Sequence, residues 1–331
     1  MVVAVGVITA MTFALTGCTS TDADSALNES VIDETSIIDE TSAEPADQGQ
    51  APTWPVMIAS RDLSPVTAVL NAVPDSAPQR IVTLATGAGE ILAAMGAGDR
   101  VVGRDETSLA PQIESAPIVT KAHQVAAEQV LALKPDLVII DSVTGPIEVI
   151  DQIRASGVRV EMVPDTFAVA DMNARISALG GYLNLSAADI AAVTLALIPD
   201  VPAAESAGPR VAFLYLRGPS SIYLLGGEGS GADALIEAAG GTDVGAEAGY
   251  EPFTPLTAEA LIAAAPDVLL VMTKGLESVG GLDGLRALPG VAQTPAGQSG
   301  HVIAVDDTLL LSFGARTAEL IDALRAGLAT A

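Results

Sequence analysis

The chain is poor in the residues from which metal centres and cross-links are built. Its 331 residues include one cysteine and two histidines, which excludes a disulfide scaffold, a zinc finger and a cysteine-ligated iron–sulfur cluster. Basic residues are also scarce: 15 stand against 41 acidic ones, giving a formal net charge of −26. A nucleic-acid binder needs a basic face to neutralise phosphates, so that class is set aside. Aromatic residues make up 3% of the chain, with a single tryptophan, Trp54. The uncharged apolar run at residues 1–17 is too short for a comfortable membrane span. What the chain has in quantity is aliphatic sequence: half its residues are apolar, with 31 glycines and 20 prolines. That composition suits an alanine- and valine-rich α/β protein long enough for two compact domains.

The apolar run ends Leu15-Thr16-Gly17-Cys18 and passes directly into polar sequence. It resembles a lipobox, the signal at which bacterial lipoproteins are cleaved and acylated on the new amino-terminal cysteine. It departs from that pattern in having no Lys or Arg ahead of the run. Residues 19–50 hold nine acidic and no basic residues, including the tandem hexapeptides VIDETS and IIDETS at 31–42. Such a stretch buries too little apolar surface to offset chain entropy, so residues 18–74 are expected to form an acidic tether behind a signal peptide at 1–17.

From about residue 75, short Val/Ile/Leu runs alternate with alanine-rich stretches, the pattern of βαβ units. An internal repeat is visible. AAEQVLALKPDLVII at 126–140 matches TAEALIAAAPDVLLV at 257–271, placing Glu128 on Glu259 and Pro135-Asp136 on Pro266-Asp267. Arg80-Ile-Val-Thr-Leu84 matches Arg210-Val-Ala-Phe-Leu214 at nearly the same offset. The fold class is therefore α/β, with two similar Rossmann-like lobes at 75–170 and 200–331. Residues 171–199, rich in Ala and Leu and interrupted only by Gly180-Gly181, are expected to join them as one long helix. Duplicate lobes leave a cleft between them, a common place for a ligand.

Catalytic motifs fail in detail. Thr86-Gly-Ala-Gly-Glu-Ile-Leu92 follows a strand and has the first two glycines of a dinucleotide fingerprint, but Leu92 stands where the third small residue belongs. A tight strand-to-helix turn explains those glycines equally well, and a nucleotide-dependent α/β enzyme remains the competing class. Gly218-Pro-Ser-Ser-Ile222 lacks the form of a nucleophile elbow. The expectation is a binding protein rather than an enzyme.

Few residues remain that could hold a ligand. His123, in Thr120-Lys-Ala-His-Gln-Val125, falls on a loop and on its own reads first as a solvent-exposed histidine, with a ligand as the other reading. His301, after Ser299-Gly300, is placed at the surface. Tyr215 ends the first strand of the second half, where ligands collect in parallel sheets, and Arg217 lies two residues on. A guanidinium beside a phenol favours the phenolate, a hard anionic ligand suited to ferric iron. A tyrosine at a sheet end can also simply be amphipathic. Tyr250 precedes the second repeat much as His123 precedes the first, and is a further cleft candidate. Lys121, Arg61 and Arg104 are possible partners of acidic ligand groups.

From about residue 78 to its end the chain resembles the substrate-binding lipoproteins of iron-complex ABC importers. The resemblance is close to haem-uptake members across Val211–Leu235 and Ala258–Gly281. Tyr215-Leu-Arg217 and Lys121-Ala-His123 fall where the histidine/tyrosine branch of that family holds its haem ligands. The resemblance implies haem clamped axially by His123 and Tyr215, with Arg217 hydrogen-bonding the tyrosine oxygen. It also implies that Glu128 and Glu259 dock into an ABC permease dimer served by a separate ATPase. Haem or a haem-donor protein would be the other partner. The protein would be lipid-anchored through Cys18 at the outer face of the cytoplasmic membrane. A siderophore or corrinoid carrier of the same fold is the alternative.

Overall fold

Two arginine-led runs of branched apolar residues form central strands of two separate sheets, and the duplication read from the sequence is repeated in the hydrogen bonds. The computed structural model describes residues 53–121, 124–198 and 208–331, which form one compact unit. In chain order the first part comprises β1 (Val56–Ile58), β2 (Ile81–Thr83), α1 (Ala88–Ala94), β3 (Val101–Gly103) and the two-residue strands β4 (Thr120–Lys121) and β5 (Gln124–Val125). It continues with α2 (Ala127–Ala132), β6 (Leu137–Ile140), α3 (Ile147–Ala155) and β7 (Arg159–Met162). The first sheet has the order β3-β2-β6-β7, all parallel.

Next come α4 (Met172–Tyr182) and α5 (Ala187–Leu197), then β8 (Arg210–Arg217), β9 (Ile222–Gly226), α6 (Ala232–Ala238), β10 (Thr242–Asp243) and α7 (Val244–Glu247). The chain ends with β11 (Phe253–Pro255), α8 (Ala258–Ala264), β12 (Val268–Met272), α9 (Thr273–Ser278), α10 (Gly281–Ala287), α11 (Pro295–Ser299), β13 (Val302–Val305) and α12 (Thr317–Leu328). The second sheet runs β1-β13-β12-β8-β9-β11, with β10 also on β8. It is mixed: β9 is antiparallel to β8 because the four residues Gly218–Ser221 are too few for a crossover.

The two halves share one clasp. Arg80 donates from Nη2 and Nε to the Leu133 carbonyl (2.6 and 3.0 Å), and Asp136 accepts from the Arg80 amide (3.0 Å). In the second half Arg210 donates to the Ala264 carbonyl (3.0 and 3.1 Å), and Asp267 accepts from the Arg210 amide (2.9 Å). The registers agree as well, Ile81 facing Leu137 and Val211 facing Val268. Each clasp ties the end of a helix to the start of a neighbouring strand, so α2 and α8 occupy equivalent places.

Two expectations need correction. Residues 171–199 do not form one helix: α4 and α5 are separated by Leu183–Ser186. Asn184 takes the left-handed conformation (φ 56°), and Ser186 caps α5 by accepting from the Asp189 amide (3.2 Å). The glycine pair is not the break, because Gly180 sits inside α4 against Ile190, which would lie 2.5 Å from a Cβ there. Residues 53–74, assigned by composition to the tether, belong instead to the folded unit. β1 is the edge strand beside β13, Val66 and Val73 are buried, and Trp54 packs on the same core. The apolar spacing in this segment was diluted by its prolines. The expected signal peptide, the acidic repeats, Cys18 and His123 lie outside the described residues.

Asp243 caps α7, its Oδ1 accepting from the Ala246 amide at 2.7 Å while Oδ2 is buried without a partner. Burial raises its pKa to about 6, with the Ala246 hydrogen bond opposing the shift. A raised carboxyl pKa stabilises the fold below the unfolded value near 4, and that contribution is lost as pH rises through about 6. Asp243→Asn keeps the cap acceptor and removes the buried charge. Urea titrations are expected to show the variant gaining on the parent by roughly 1–2 kcal/mol between pH 4 and pH 7. A constant difference across that range overturns the assignment.

Candidate functional site

The parallel strands β1, β13, β12 and β8 all end on one edge of the second sheet, and the loops that leave them carry the candidate residues. In order along that edge stand Ser60-Arg61, Asp306-Asp307, Thr273-Lys274 and Tyr215-Leu216-Arg217. Three strand spacings separate the first from the last, about 14 Å. A cavity of about 510 Å³ opens at the β1/β13 end. Ser60, Arg61, Asp306 and Arg316 line one wall; Leu109 and Glu114, from the loops after β3, line the other. The cavity thus lies between the two sheets, with Tyr215 two strands further along the same edge.

Tyr215 is half-buried at the end of β8, on the face carrying Val211 and Phe213. Phe253, 41% exposed, meets its ring edge-on at 5.6 Å. The Arg217 guanidinium lies over the same ring, 4.3 Å from its centroid, and donates from Nη1 to the Leu216 carbonyl at 2.9 Å. The implied hydrogen bond from Arg217 to the tyrosine oxygen is therefore replaced by a cation over the ring face. On the first sheet, the loops after β6 and β7 expose Val143 (59%) and Phe167 (52%). His123 lies outside the described residues; Lys121 and Gln124, before and after the undescribed pair, are partners in an antiparallel ladder.

Tyr250 is not brought to Tyr215. It packs on the cluster formed by Leu214, Leu216 and Val244, the opposite face of the second sheet. Tyr223 packs on that same cluster. His301 stacks on Trp54 at 4.5 Å, at the start of β13 and away from the carboxyl edge. Arg104 lines the cavity but is mostly buried, and it donates to the Ala116 and Ser108 carbonyls. Glu128 and Glu259 are both exposed, each in the first turn of its helix, α2 or α8. The Thr86–Leu92 turn leaves no room for a phosphate. A Cβ at Gly87 would lie 2.2 Å from the Ser312 carbonyl, and the amides of Thr86 and Gly87 are taken by Asp141 and Thr107 (both 3.0 Å).

Beneath the cleft the walls are joined by a buried ion pair that sequence reasoning missed. Glu90 of α1 accepts from Arg316 Nη2 (2.5 Å) and Nε (3.1 Å), while Nη1 donates to the Ser60 carbonyl (3.0 Å) and hydroxyl (2.7 Å). A second polar group underlies the first wall. Arg175 donates to the Thr86 carbonyl (2.6 Å), and burial lowers its pKa against the pull of Asp141. Burial likewise raises the Asp105 pKa, opposed by hydrogen bonds from Ser108 and Thr107.

Residues 81–309 match the periplasmic binding protein family. The chain belongs to that family. The family fold is also seen in the crystal structure of the heme binding protein HmuT, with a TM-score of 0.73 at 33% identity over 82% of this chain and 96% of that one. Further HmuT structures carry single alanine substitutions at a histidine, a tyrosine and an arginine, the last two separated by one residue. The periplasmic heme-binding protein RhuT from Roseiflexus sp. RS-1 is 38% identical, with a TM-score of 0.71, over 76% of this chain and 98% of that one. A cobalamin-binding protein from Halobacterium salinarum is 28% identical over 279 residues, 80% of this chain and 71% of the relative.

No helix among the described residues is long and apolar enough to cross a membrane.

The ion pair gives a stability test. Glu90→Gln leaves the buried guanidinium without its countercharge, at an expected cost of about 3 kcal/mol in urea unfolding. Glu90→Gln combined with Arg316→Met removes both charges and is expected to recover most of that loss. Equal or additive losses would show that the two residues are not coupled.

Proposed function

We propose that this protein binds ferric haem in the cleft between its two sheets and delivers it to an ABC-type importer. The observation that carries the reading is Tyr215: a half-buried phenol at the carboxyl edge of the second sheet, with a cation over its ring and an exposed phenylalanine against it. A phenolate oxygen is a hard donor suited to Fe(III), and tyrosine is an axial ligand in other haem proteins. His123, on the connection between β4 and β5, supplies the second axial ligand from the other wall. Phe253, Phe167 and Val143 offer apolar surface to the porphyrin. Support comes from the heme-binding relatives and from the tyrosine-x-arginine spacing, which this chain shares with the substituted pair of HmuT. Tyr250 takes no part in the site, because its ring belongs to the far face of the sheet.

The same reading assigns the outer parts of the molecule. Glu128 and Glu259, exposed at equivalent positions of duplicated helices, dock into the two subunits of a permease dimer driven by its ATPase. Residues 1–17 act as a signal peptide, Cys18 carries the lipid, and the acidic segment links it to the folded unit at the outer face of the cytoplasmic membrane. A corrinoid is the second reading, favoured by the identity to the cobalamin-binding protein.

Mixing the apoprotein with ferric haem is expected to give a shifted Soret band, which His123→Ala and Tyr215→Ala each alter in position and weaken at least tenfold in affinity. Absence of a haem-dependent band, together with saturable binding of cobalamin, overturns the haem reading in favour of the corrinoid. For docking, Glu128→Ala with Glu259→Ala is expected to leave haem affinity unchanged and to lower uptake in cells several-fold. A loss of haem affinity in that double variant removes the docking assignment.

A further inference from the structure

We infer that Lys274 is a ligand-selecting residue that pairs with an ionised propionate of the haem. This inference rests on the proposed haem-binding function and names a group that neither the sequence motifs nor the Tyr215–Arg217 pair assigned. The register that sets Leu214 opposite Val271 carries the next residues of both strands, Tyr215 to Arg217 and Met272 to Lys274, to one end of the sheet. Close backbone packing fixes the first turn of α9 there. A Cβ on Gly275 would lie 3.2 Å from the Leu216 carbonyl, and Gly218 donates to Ser278 Oγ at 2.9 Å. Lys274 is thus held at the same end of the sheet as Tyr215, at the start of a helix that packs on the Leu216 side.

Its charge is unspent. The Lys274 amide donates to Asp307 at 2.8 Å, which anchors the backbone, while the exposed ammonium has no hydrogen-bond or ion-pair partner among the described residues. The other described cations near the cleft are engaged. Arg217 is on the Tyr215 ring and the Leu216 carbonyl, Arg316 is on Glu90 and Ser60, and Arg104 and Arg175 are buried on carbonyls. Arg61, at the far end of the edge, stands 3.8 Å from Asp62. In a chain with a net charge of −26, a dianionic porphyrin meets long-range repulsion at the surface. A cation without a partner, on an anchored backbone at the same sheet end as the proposed ligand phenol, offsets that repulsion at the cleft rim. The ammonium reaches a carboxylate as a mobile point charge, suited to a propionate at the cleft rim.

The test compares ferric haem with its dimethyl ester, which presents the same iron and macrocycle without ionised carboxylates. Parent, Lys274→Ala and Lys274→Gln are titrated with each, after thermal unfolding has verified the same midpoint for all three. The inference predicts haem affinity about fivefold to tenfold weaker in both variants, the bound Soret spectrum unchanged, and ester affinity unaffected by either substitution. Equal losses for haem and ester, or no loss for haem, overturn the role of Lys274 while leaving haem binding by the parent intact. A parent protein that shows no Soret change with haem overturns the functional reading itself, and the inference with it.

Discussion

The guanidinium of Arg316 holds the cleft in shape. It stands just ahead of α12 and reaches a glutamate 226 positions earlier in the chain, and a serine 256 positions earlier. Three segments that are remote in sequence, the end of β1, helix α1 and the approach to α12, therefore meet at one planar group. All three of its nitrogens donate, and both charges are nearly solvent-free. A buried ion pair is tolerated only when its hydrogen bonds are this complete, since desolvation otherwise exceeds the Coulombic gain. The backbone packs equally closely around it. Gly87, with φ 72°, lies against the Ser312 carbonyl, and a Cβ on Gly314 would lie 2.8 Å from the Glu90 carboxylate. Separating the two sheets would break the two hydrogen bonds from Arg316 to Glu90 and unpack these glycines together. The cleft is consequently built before any ligand arrives, and little ordering entropy remains to oppose binding.

The same reasoning explains how a strongly acidic chain uses so few cations. Arg80, Arg100, Arg104, Arg175, Arg210 and Arg286 all donate to backbone carbonyls at the ends of helices and loops. Such carbonyls would otherwise lack partners, and the planar fork of arginine satisfies two or more at once. These guanidiniums serve the chain's own carbonyls, and with 15 basic against 41 acidic residues the net field of the chain is negative. A net charge of −26 gives no long-range attraction for an anionic ligand, so recognition of one depends on short-range contacts at the cleft.

Much of this was legible in the sequence because it rests on local pattern. The repeat around Pro135-Asp136 and Pro266-Asp267 announced two βαβ layers, and the structure repeats even the arginine clasps. Tyr215 could be placed because a strand ending in an aromatic residue must put that residue at the sheet edge. The misreadings came from weaker signals. Leu183-Asn184-Leu185-Ser186 breaks the connecting helix through a left-handed asparagine and a serine cap, yet the eye goes to Gly180-Gly181. β1 could not be foreseen, because a three-residue strand among prolines has no period of its own and owes its existence to β13, far away in the chain. Glu90 was hidden for the same reason. It looks like an ordinary helix amino-terminal acid until the residue opposite it is known. Tyr250 failed as a cleft residue because an analogy of sequence position carries no information about which face of a sheet a side chain takes.

The arrangement around Tyr215 follows from these constraints. Gly226 lacks a side chain, so Phe213 covers its backbone, where a Cβ would lie 2.6 Å from the Phe213 ring. Across the strands Phe253 faces Gly226 and turns its ring onto Tyr215. The phenol is thus supported along one edge, and Arg217 occupies a ring face. A cation over the ring approaches along the π-face, whereas a metal ion is bound by the oxygen in or near the ring plane. The two contacts do not compete, and Arg217 can stay in place when the oxygen is engaged. Arg217 therefore covers a face of the ring and leaves free the edge that bears the oxygen.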